Sequence, residues 1–144
     1  MEITYSRILI FCANIALLAL GGAYGAEFFL NLPPCHLCIY QRWIYGLIIA
    51  ISLFGYCPVK FSKYLVWLVI FLFGAEFFVA LYHIGVEYHW IALPEQCKAI
   101  QAFPQSFEAI KAQLLATPPV RCDKVAFRFL GLSMAEYNAI FAGI

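Results

Sequence analysis

The hydrophobic positions of this chain fall into long uninterrupted runs. Three runs approach or reach the length of a bilayer, at about Ile8 to Leu30, Ile39 to Tyr56 and Tyr64 to Tyr82. A fourth run, Leu132 to Ile144, is shorter than the roughly 20 residues that a spanning helix needs. Since backbone groups in lipid must be satisfied within their own segment, each full run predicts a transmembrane α-helix.

The composition supports the same class of protein. Of the 144 residues, 65% are hydrophobic and 12% are charged, whereas soluble domains carry about 25% charged residues. We therefore predict an all-α membrane protein, a single integral domain over residues 1–144. Its expected architecture is a transmembrane four-helix bundle with an apparently truncated fourth helix. The net charge of +1 does not indicate a nucleic-acid partner.

Charges in the loops predict the topology. The loop between the second and third runs contains Lys60 and Lys63 and no acid, while the hairpin Asn31 to Leu37 has no basic Lys or Arg. By the positive-inside rule, the lysine loop and both termini face the cytoplasm, and the hairpin and residues of about 83–131 face the periplasm. The alternative, that the first run is a cleavable signal peptide after Arg7, is weakened by its spanning length.

Cys35 and Cys38 form a Cys-x-x-Cys pair at the start of the second run. Such a pair switches between dithiol and disulfide, and the free amides at a helix start favour the thiolate. Pro33 and Pro34 suit the residues that lead into a first turn. Arg42 falls on the same helical face, where it either snorkels to the interface or stabilises a thiolate or an anionic carrier.

Cys97 and Cys122 lie in the outer segment, which permits disulfides. One interpretation is a structural staple for a loop with little core. The other is a second exchanging pair, since the neighbouring cations Lys98, Arg121 and Lys124 favour thiolates.

The other two cysteines, Cys12 and Cys57, are interpreted as small buried apolar residues. No metal ligands are assigned, because the two outer cysteines are not a close pair of the kind that zinc uses. Covalent haem would need a histidine directly after Cys38, and Ile39 stands there.

The run Pro34-Cys-His-Leu-Cys-Ile-Tyr-Gln-Arg42 resembles the Pro-Cys-x-Leu-Cys-x-x-x-Arg signature of the DsbB family of quinone-linked disulfide oxidases. Tyr82-His83 and Phe129-Leu-Gly-Leu132 are similar to further landmarks of that family. The resemblance covers the chain from about Leu20 to its end.

The resemblance implies an inner-membrane enzyme that reoxidises a periplasmic thioredoxin-like protein of the DsbA type and passes electrons to membrane quinone, either ubiquinone or menaquinone. Cys97 and Cys122 would then exchange with the soluble protein. Cys35 and Cys38 would exchange with quinone, and Arg42 would lie near it.

Other polar residues in the runs are weaker candidates. His83 is a candidate hydrogen-bond donor to a quinone oxygen, although packing or solvation is the more general expectation for such a residue. Glu76 is interpreted as a buried carboxyl bonded to a neighbouring helix, and Glu27 as interfacial. Residues 105–115 have the apolar spacing of a short helix on the membrane surface or on the end of the bundle.

Two alternatives stay open from the sequence. A vitamin K epoxide reductase-like enzyme also places Cys-x-x-Cys in a helical bundle, but it differs in substrate and direction of electron flow. A non-enzymatic membrane protein with a structural disulfide or a metal site belongs to another class, and stoichiometric zinc without exchange between the cysteine pairs would favour it.

Overall fold

The computed structural model describes residues 2–56, 61–97, 111 and 120–144. Three long helices come first, α1 (Glu2–Leu30), α2 (His36–Tyr56) and α3 (Ser62–Glu87). They are followed by a 3-10 turn (Glu95–Cys97), strands β1 (Arg128–Phe129) and β2 (Leu132–Ser133), and helix α4 (Met134–Gly143).

Each long helix carries a segment that is long and apolar enough to cross a membrane, namely Thr4–Leu30, His36–Gly55 and Ser62–Glu87. Large apolar side chains point outward from these helices, as lipid-facing residues do. The all-α membrane class is therefore confirmed. Helix α4 has 10 residues, about 15 Å at the rise of an α-helix, against roughly 30 Å for the hydrocarbon core. The expectation of a short fourth helix is also confirmed.

Consecutive helices pack against one another, α1 on α2, α2 on α3 and α3 on α4. Six buried side chains from α1, α2 and α3 form what we call the central core: Leu9, Ala16, Tyr45, Ile48, Val66 and Val69. Since α1, α2 and α3 alternate in direction, the end of α1, the start of α2 and the end of α3 lie at one end of the bundle.

Several helix boundaries differ from the predicted runs: α1 begins at Glu2 rather than Ile8 and α3 at Ser62 rather than Tyr64. Two further differences matter for the site. Helix α2 begins at His36 rather than Ile39, and α3 continues to Glu87 rather than ending near Tyr82. Hydropathy marks where the apolar residues stop, whereas helical hydrogen bonds continue through polar residues that have partners inside the bundle. The two extensions carry polar side chains into the site described below.

A β-hairpin that the sequence did not predict precedes α4. Phe129 pairs with Leu132 across Leu130 and Gly131, whose φ angles of 49° and 88° belong to a two-residue turn with left-handed backbone. The fourth apolar segment, predicted as helical from Leu132, therefore opens as a strand. Helix α4 starts only after Ser133.

A capping box begins α4. The Ser133 hydroxyl accepts a hydrogen bond from the Glu136 amide at 3.2 Å, and the Ser133 amide donates to the Glu136 carboxylate at 2.6 Å. Further along, Asn138 donates a hydrogen bond to the fully buried Glu76 on α3 at 2.7 Å. The interpretation of Glu76 as a carboxyl bonded to a neighbouring helix is confirmed.

Several predictions concern residues outside the described part of the chain. They are the packing role of Cys57, the topological role of Lys60, the influence of Lys98, and the short helix over 105–115, of which only Lys111 is described.

Candidate functional site

The start of α2 holds Cys35 in the position of a helix N-cap. The Cys35 carbonyl accepts a hydrogen bond from the Ile39 amide at 3.1 Å. The Cys38 amide points at the Cys35 sulfur, 3.4 Å away. A sulfur in this position receives one of the amides that a helix start leaves without a partner, which favours its thiolate. The prolines before the helix therefore present Cys35 as the sequence predicted.

Cys35 and Cys38 are close but not bonded to each other. Their sulfurs lie 3.0 Å apart, and both are free cysteines. The hydrogen bond from the Cys38 thiol holds the pKa of Cys35 well below its ordinary value, and the neighbouring His83 adds to this effect, although burial opposes it. The structure thus contains two unbonded cysteines, and the surroundings of Cys35 favour its thiolate.

His83 joins the pair from α3. Its Nε2 atom lies 3.6 Å from the Cys35 sulfur, and its side chain is buried. Nε2 is also 3.9 Å from the Glu87 carboxylate, one turn along the same helix. The Ser133 hydroxyl donates to the other oxygen of Glu87 at 2.6 Å. A chain of polar contacts therefore runs from Cys35 through α3 to the start of α4.

Arg42 points toward α1. Its guanidinium forms an ion pair with Glu27, donates to the Ala23 carbonyl at 3.1 Å, and lies 4.5 Å from the centre of the Tyr24 ring. Its side chain is 13% exposed, so the charge is held inside the bundle rather than extended into solvent. Glu27, interpreted from the sequence as interfacial, is thus also the partner of Arg42.

Cys97 and Cys122 form a disulfide, with their Cα atoms 5.5 Å apart. Both cysteines are buried, and they pack in one cluster with Cys35, Leu37 and Val86. We call this group the cysteine cluster. It brings the two cysteine pairs together at the same end of the bundle.

The expected influence of Arg121 on Cys122 is modified by a close acid. Arg121 donates two hydrogen bonds to Asp123, at 2.9 and 2.5 Å. These bonds lower the pKa of the Asp123 carboxyl, so the acid stays ionised. Because the two charges offset each other, Arg121 favours a Cys122 thiolate less than the sequence suggested.

A cavity of about 420 Å³ opens beside the dithiol. All four helices and the segment before β1 contribute to its wall. Its polar lining includes Cys35, Cys38, Gln41, Arg42, His83 and Glu87. Most of the remaining wall is apolar, which suits a lipophilic molecule with a few polar atoms.

Three buried nitrogens of this lining have no hydrogen-bond partner within the described residues: Gln41 Nε2, Arg42 Nε and His83 Nδ1. Buried polar groups normally have partners, so these nitrogens are unsatisfied polar groups beside the cavity. An apolar wall with such groups nearby suits a lipophilic molecule that carries hydrogen-bond acceptors.

The comparisons with known proteins agree with this geometry. The family model described as "Disulfide bond formation protein DsbB" matches residues 5–144. The chain belongs to the DsbB family. Membership supports a role in disulfide bond formation and, with the three apolar helices, a place in a membrane.

Two curated relatives are similar to this DsbB-family chain. "Uncharacterized protein RP370" of Rickettsia prowazekii (strain Madrid E) is 33% identical over 129 residues, covering 88% of this chain and 75% of the relative. "Disulfide bond formation protein B" of Actinobacillus pleuropneumoniae serotype 5b (strain L20) is 30% identical over 132 residues, covering 87% of this chain and 72% of the relative. No solved structure gives a significant match.

The six residues chosen from the sequence of this DsbB-family protein meet at one end of the bundle. Cys35, Cys38, Arg42 and His83 line the cavity, and Cys97 and Cys122 pack against the first of them. Their roles stay predictions.

Sequence reasoning did not find the contacts of Ser133 and Glu27. Ser133 had a signal, because Ser133-Met-Ala-Glu136 is a capping-box pattern that marks a helix start. The pairing of Glu27 with Arg42 depends on how α1 and α2 pack, and the local sequence has no pattern for it.

Proposed function

We propose that the protein is a thiol:quinone oxidoreductase that reoxidises a DsbA-type thioredoxin-like protein and passes the electrons to membrane quinone. The observation that carries this proposal is the shared packing of two cysteine pairs, one bonded and one reduced, beside an apolar cavity. Family membership favours this over the vitamin K epoxide reductase-like alternative.

The electron path begins at the Cys97–Cys122 disulfide. A thiolate of the soluble protein attacks one sulfur of the Cys97–Cys122 disulfide to form a mixed disulfide. The second thiol of the soluble protein then attacks this mixed disulfide, so the soluble protein leaves with a disulfide of its own. Two electrons then reside in the Cys97 and Cys122 thiols. One sulfur–sulfur bond breaks in the membrane protein for the one that forms in the soluble protein.

The second exchange moves the electrons inward. The reduced outer pair attacks a disulfide between Cys35 and Cys38, which restores the Cys97–Cys122 bond and leaves the inner pair as a dithiol. In the structure the outer sulfurs are bonded and the inner sulfurs are not, an arrangement that is compatible with this step. Contact through the cysteine cluster supports direct exchange between the pairs.

A quinone bound in the cavity would supply an acceptor for two electrons and two protons. Arg42 and His83 are the residues that would hold it, since each contributes a buried nitrogen without a partner in the described chain. His83 Nε2 is placed to take a proton from Cys35. The Arg42 guanidinium favours anionic sulfur at the cavity wall, and its ion pair with Glu27 reduces this effect.

The proposed orientation follows from the position of the site. The cysteine pairs lie at the bundle end opposite Lys63, so the positive-inside rule places them on the periplasmic side of the bacterial inner membrane with both termini in the cytoplasm. An oxidising compartment is also where a thioredoxin-like protein would need reoxidation.

The test mixes purified, oxidised protein with a reduced thioredoxin-like protein and a soluble quinone, and follows quinone absorbance. We expect quinone loss that disappears in Cys38→Ser and in Cys122→Ser and persists in the matched control Cys12→Ser. A mixed disulfide without quinone loss would mean that the outer pair works and quinone is not the acceptor. The absence of both quinone loss and a mixed disulfide would favour a purely structural disulfide.

A further inference from the structure

We propose that Cys35 and Cys38, when reduced, form with His83 a binding site for one thiophilic divalent cation such as Zn²⁺ or Cd²⁺, and that an occupied site cannot release electrons. The three ligand atoms lie within 4.8 Å of one another. Binding of the cation requires that the two thiols are reduced and does not depend on the proposed function. Its inhibitory consequence rests on the proposed function.

The distances suit tetrahedral coordination. Zinc bonds of about 2.3 Å to sulfur and about 2.0 Å to nitrogen place a sulfur and a nitrogen ligand roughly 3.5 Å apart and two sulfurs roughly 3.8 Å apart. Cys35 Sγ and His83 Nε2 are 3.6 Å apart. The two sulfurs are 3.0 Å apart, so they need to separate by less than about 1 Å, a change within reach of side-chain rotation.

Glu87 lies beside the site but outside the group of three converging ligand atoms. Its Oε1 atom is 3.9 Å from His83 Nε2, farther than the roughly 3.3 Å between a nitrogen and an oxygen ligand on one tetrahedral zinc ion, so this carboxylate is an outer contact of His83. Ser133 donates to Oε2 at 2.6 Å and so fixes the carboxylate orientation. Outer contacts of this kind position metal ligands in known sites.

Spacing along the chain did not reveal the site. A zinc site is usually recognised by two close ligand pairs, and this chain has one Cys-x-x-Cys pair. The third ligand, His83, is 48 residues from Cys35 and belongs to another helix. Only the packing of α3 against α2 brings it to the sulfurs.

The redox state controls access to the site. Binding converts two thiols to metal thiolates and releases their protons without transferring electrons. Cys35 and Cys38 joined as a disulfide have no thiolate to offer, so the oxidised pair does not bind the ion. Conversely, a metal-bound pair cannot form its disulfide. The cation would therefore trap the chain in its reduced form.

The first experiment uses one protein in two redox states. The full chain with Cys97→Ala and Cys122→Ala, which removes the outer thiols, is purified in detergent and titrated with Cd²⁺ alone. We expect ultraviolet thiolate-to-cadmium absorption that saturates at one ion per reduced chain and is absent after oxidation of the inner pair. No saturable absorption in a chain whose helical content by circular dichroism matches that of the unsubstituted protein, or equal uptake by both redox forms, would overturn the proposal.

Variants on the same background identify the ligands. Cys38→Ser should abolish the absorption, and His83→Ala should weaken cadmium affinity more than Ser133→Ala, for which we expect a loss of roughly tenfold as for outer-shell contacts. The matched controls Cys12→Ser and His89→Ala should leave affinity unchanged. Unaltered affinity in a folded His83→Ala chain would show that the third ligand is wrong.

A turnover assay of the unsubstituted chain separates this proposal from the proposed function. We expect Zn²⁺ to stop quinone reduction and a chelator to restore it. Cadmium uptake in a chain that never reduces quinone would support the metal site and refute the quinone reaction. Quinone reduction that is insensitive to zinc, with no cadmium uptake, would support the quinone reaction and refute the metal site.

Discussion

The two cysteine pairs of this chain are built in different ways. Cys35 and Cys38 are three residues apart, at the start of one helix, with unbonded sulfurs. Cys97 and Cys122 are 25 residues apart and bonded, one in a 3-10 turn and the other in a segment without regular structure. Local helix geometry positions the first pair, whereas the second depends on distant parts of the chain meeting.

This difference indicates a division of labour. The helix start gives Cys35 a favourable amide and a thiol donor, and α3 adds an imidazole 3.6 Å away. Within the described residues neither outer cysteine lies at the start of an α-helix, and the charge of Arg121 beside Cys122 is offset by Asp123. We therefore expect the inner pair to determine electron transfer to the acceptor and the outer pair to determine which protein is oxidised.

The largest effect is expected when the variants are given two different electron donors, a thioredoxin-like protein and dithiothreitol. Cys122→Ser should reduce oxidation of a thioredoxin-like protein to background, because Cys97 loses its partner sulfur, while quinone-coupled oxidation of dithiothreitol continues through the inner pair. Cys38→Ser should stop both reactions. Quinone absorbance measures each. Protein-driven turnover in Cys38→Ser would contradict the division.

Arg42→Ala tests the inner site alone. We expect KM for quinone to rise by roughly 10–100-fold, since a hydrogen bond from a charged group contributes about 1.5–3 kcal/mol. The rate of mixed-disulfide formation with the soluble protein should not change. Arg42→Lys, which keeps the charge and loses the guanidinium contacts to Glu27 and Ala23, should lie between. A defect confined to exchange with the soluble protein would exclude this role.

The pH dependence of alkylation tests whether Cys35 is a thiolate below the ordinary thiol pKa. Because its pKa lies below the ordinary thiol value of 9.0, the thiolate persists as the pH drops below that value and disappears only when the pH passes the lowered pKa. Iodoacetamide labelling, located by mass spectrometry, should therefore stay fast in mildly acidic buffer. Cys38→Ala should move the midpoint upward most and His83→Ala less. A midpoint near 9.0 in the unsubstituted chain would refute the expectation.

The smallest expected effect concerns the contact between the pairs. Val86 in the cysteine cluster and Val69 in the central core are both fully buried on α3. Each change to Ala should destabilise the fold by about 1–2 kcal/mol. Only Val86→Ala should slow electron transfer between the pairs, by roughly two- to fivefold, because misplaced reacting groups react more slowly. Stopped-flow thiol trapping measures the step, and equal slowing by Val69→Ala would remove the distinction.

Much of the fold could be predicted because lipid imposes strong rules. Uninterrupted apolar runs require helices, and the three spans and the short fourth helix followed from run length alone. The hairpin before α4 did not follow, since two-residue strands leave little periodicity and Leu130 is an unusual residue for left-handed backbone.

The sequence by itself predicted the position of the inner pair, because Cys-x-x-Cys after two prolines favours sulfurs at a helix start. Only the tertiary structure decided that His83 contacts Cys35, that Glu27 pairs with Arg42, and that the outer disulfide packs on the inner dithiol. Each of these contacts joins different elements, so its geometry depends on helix packing and not on spacing along the chain.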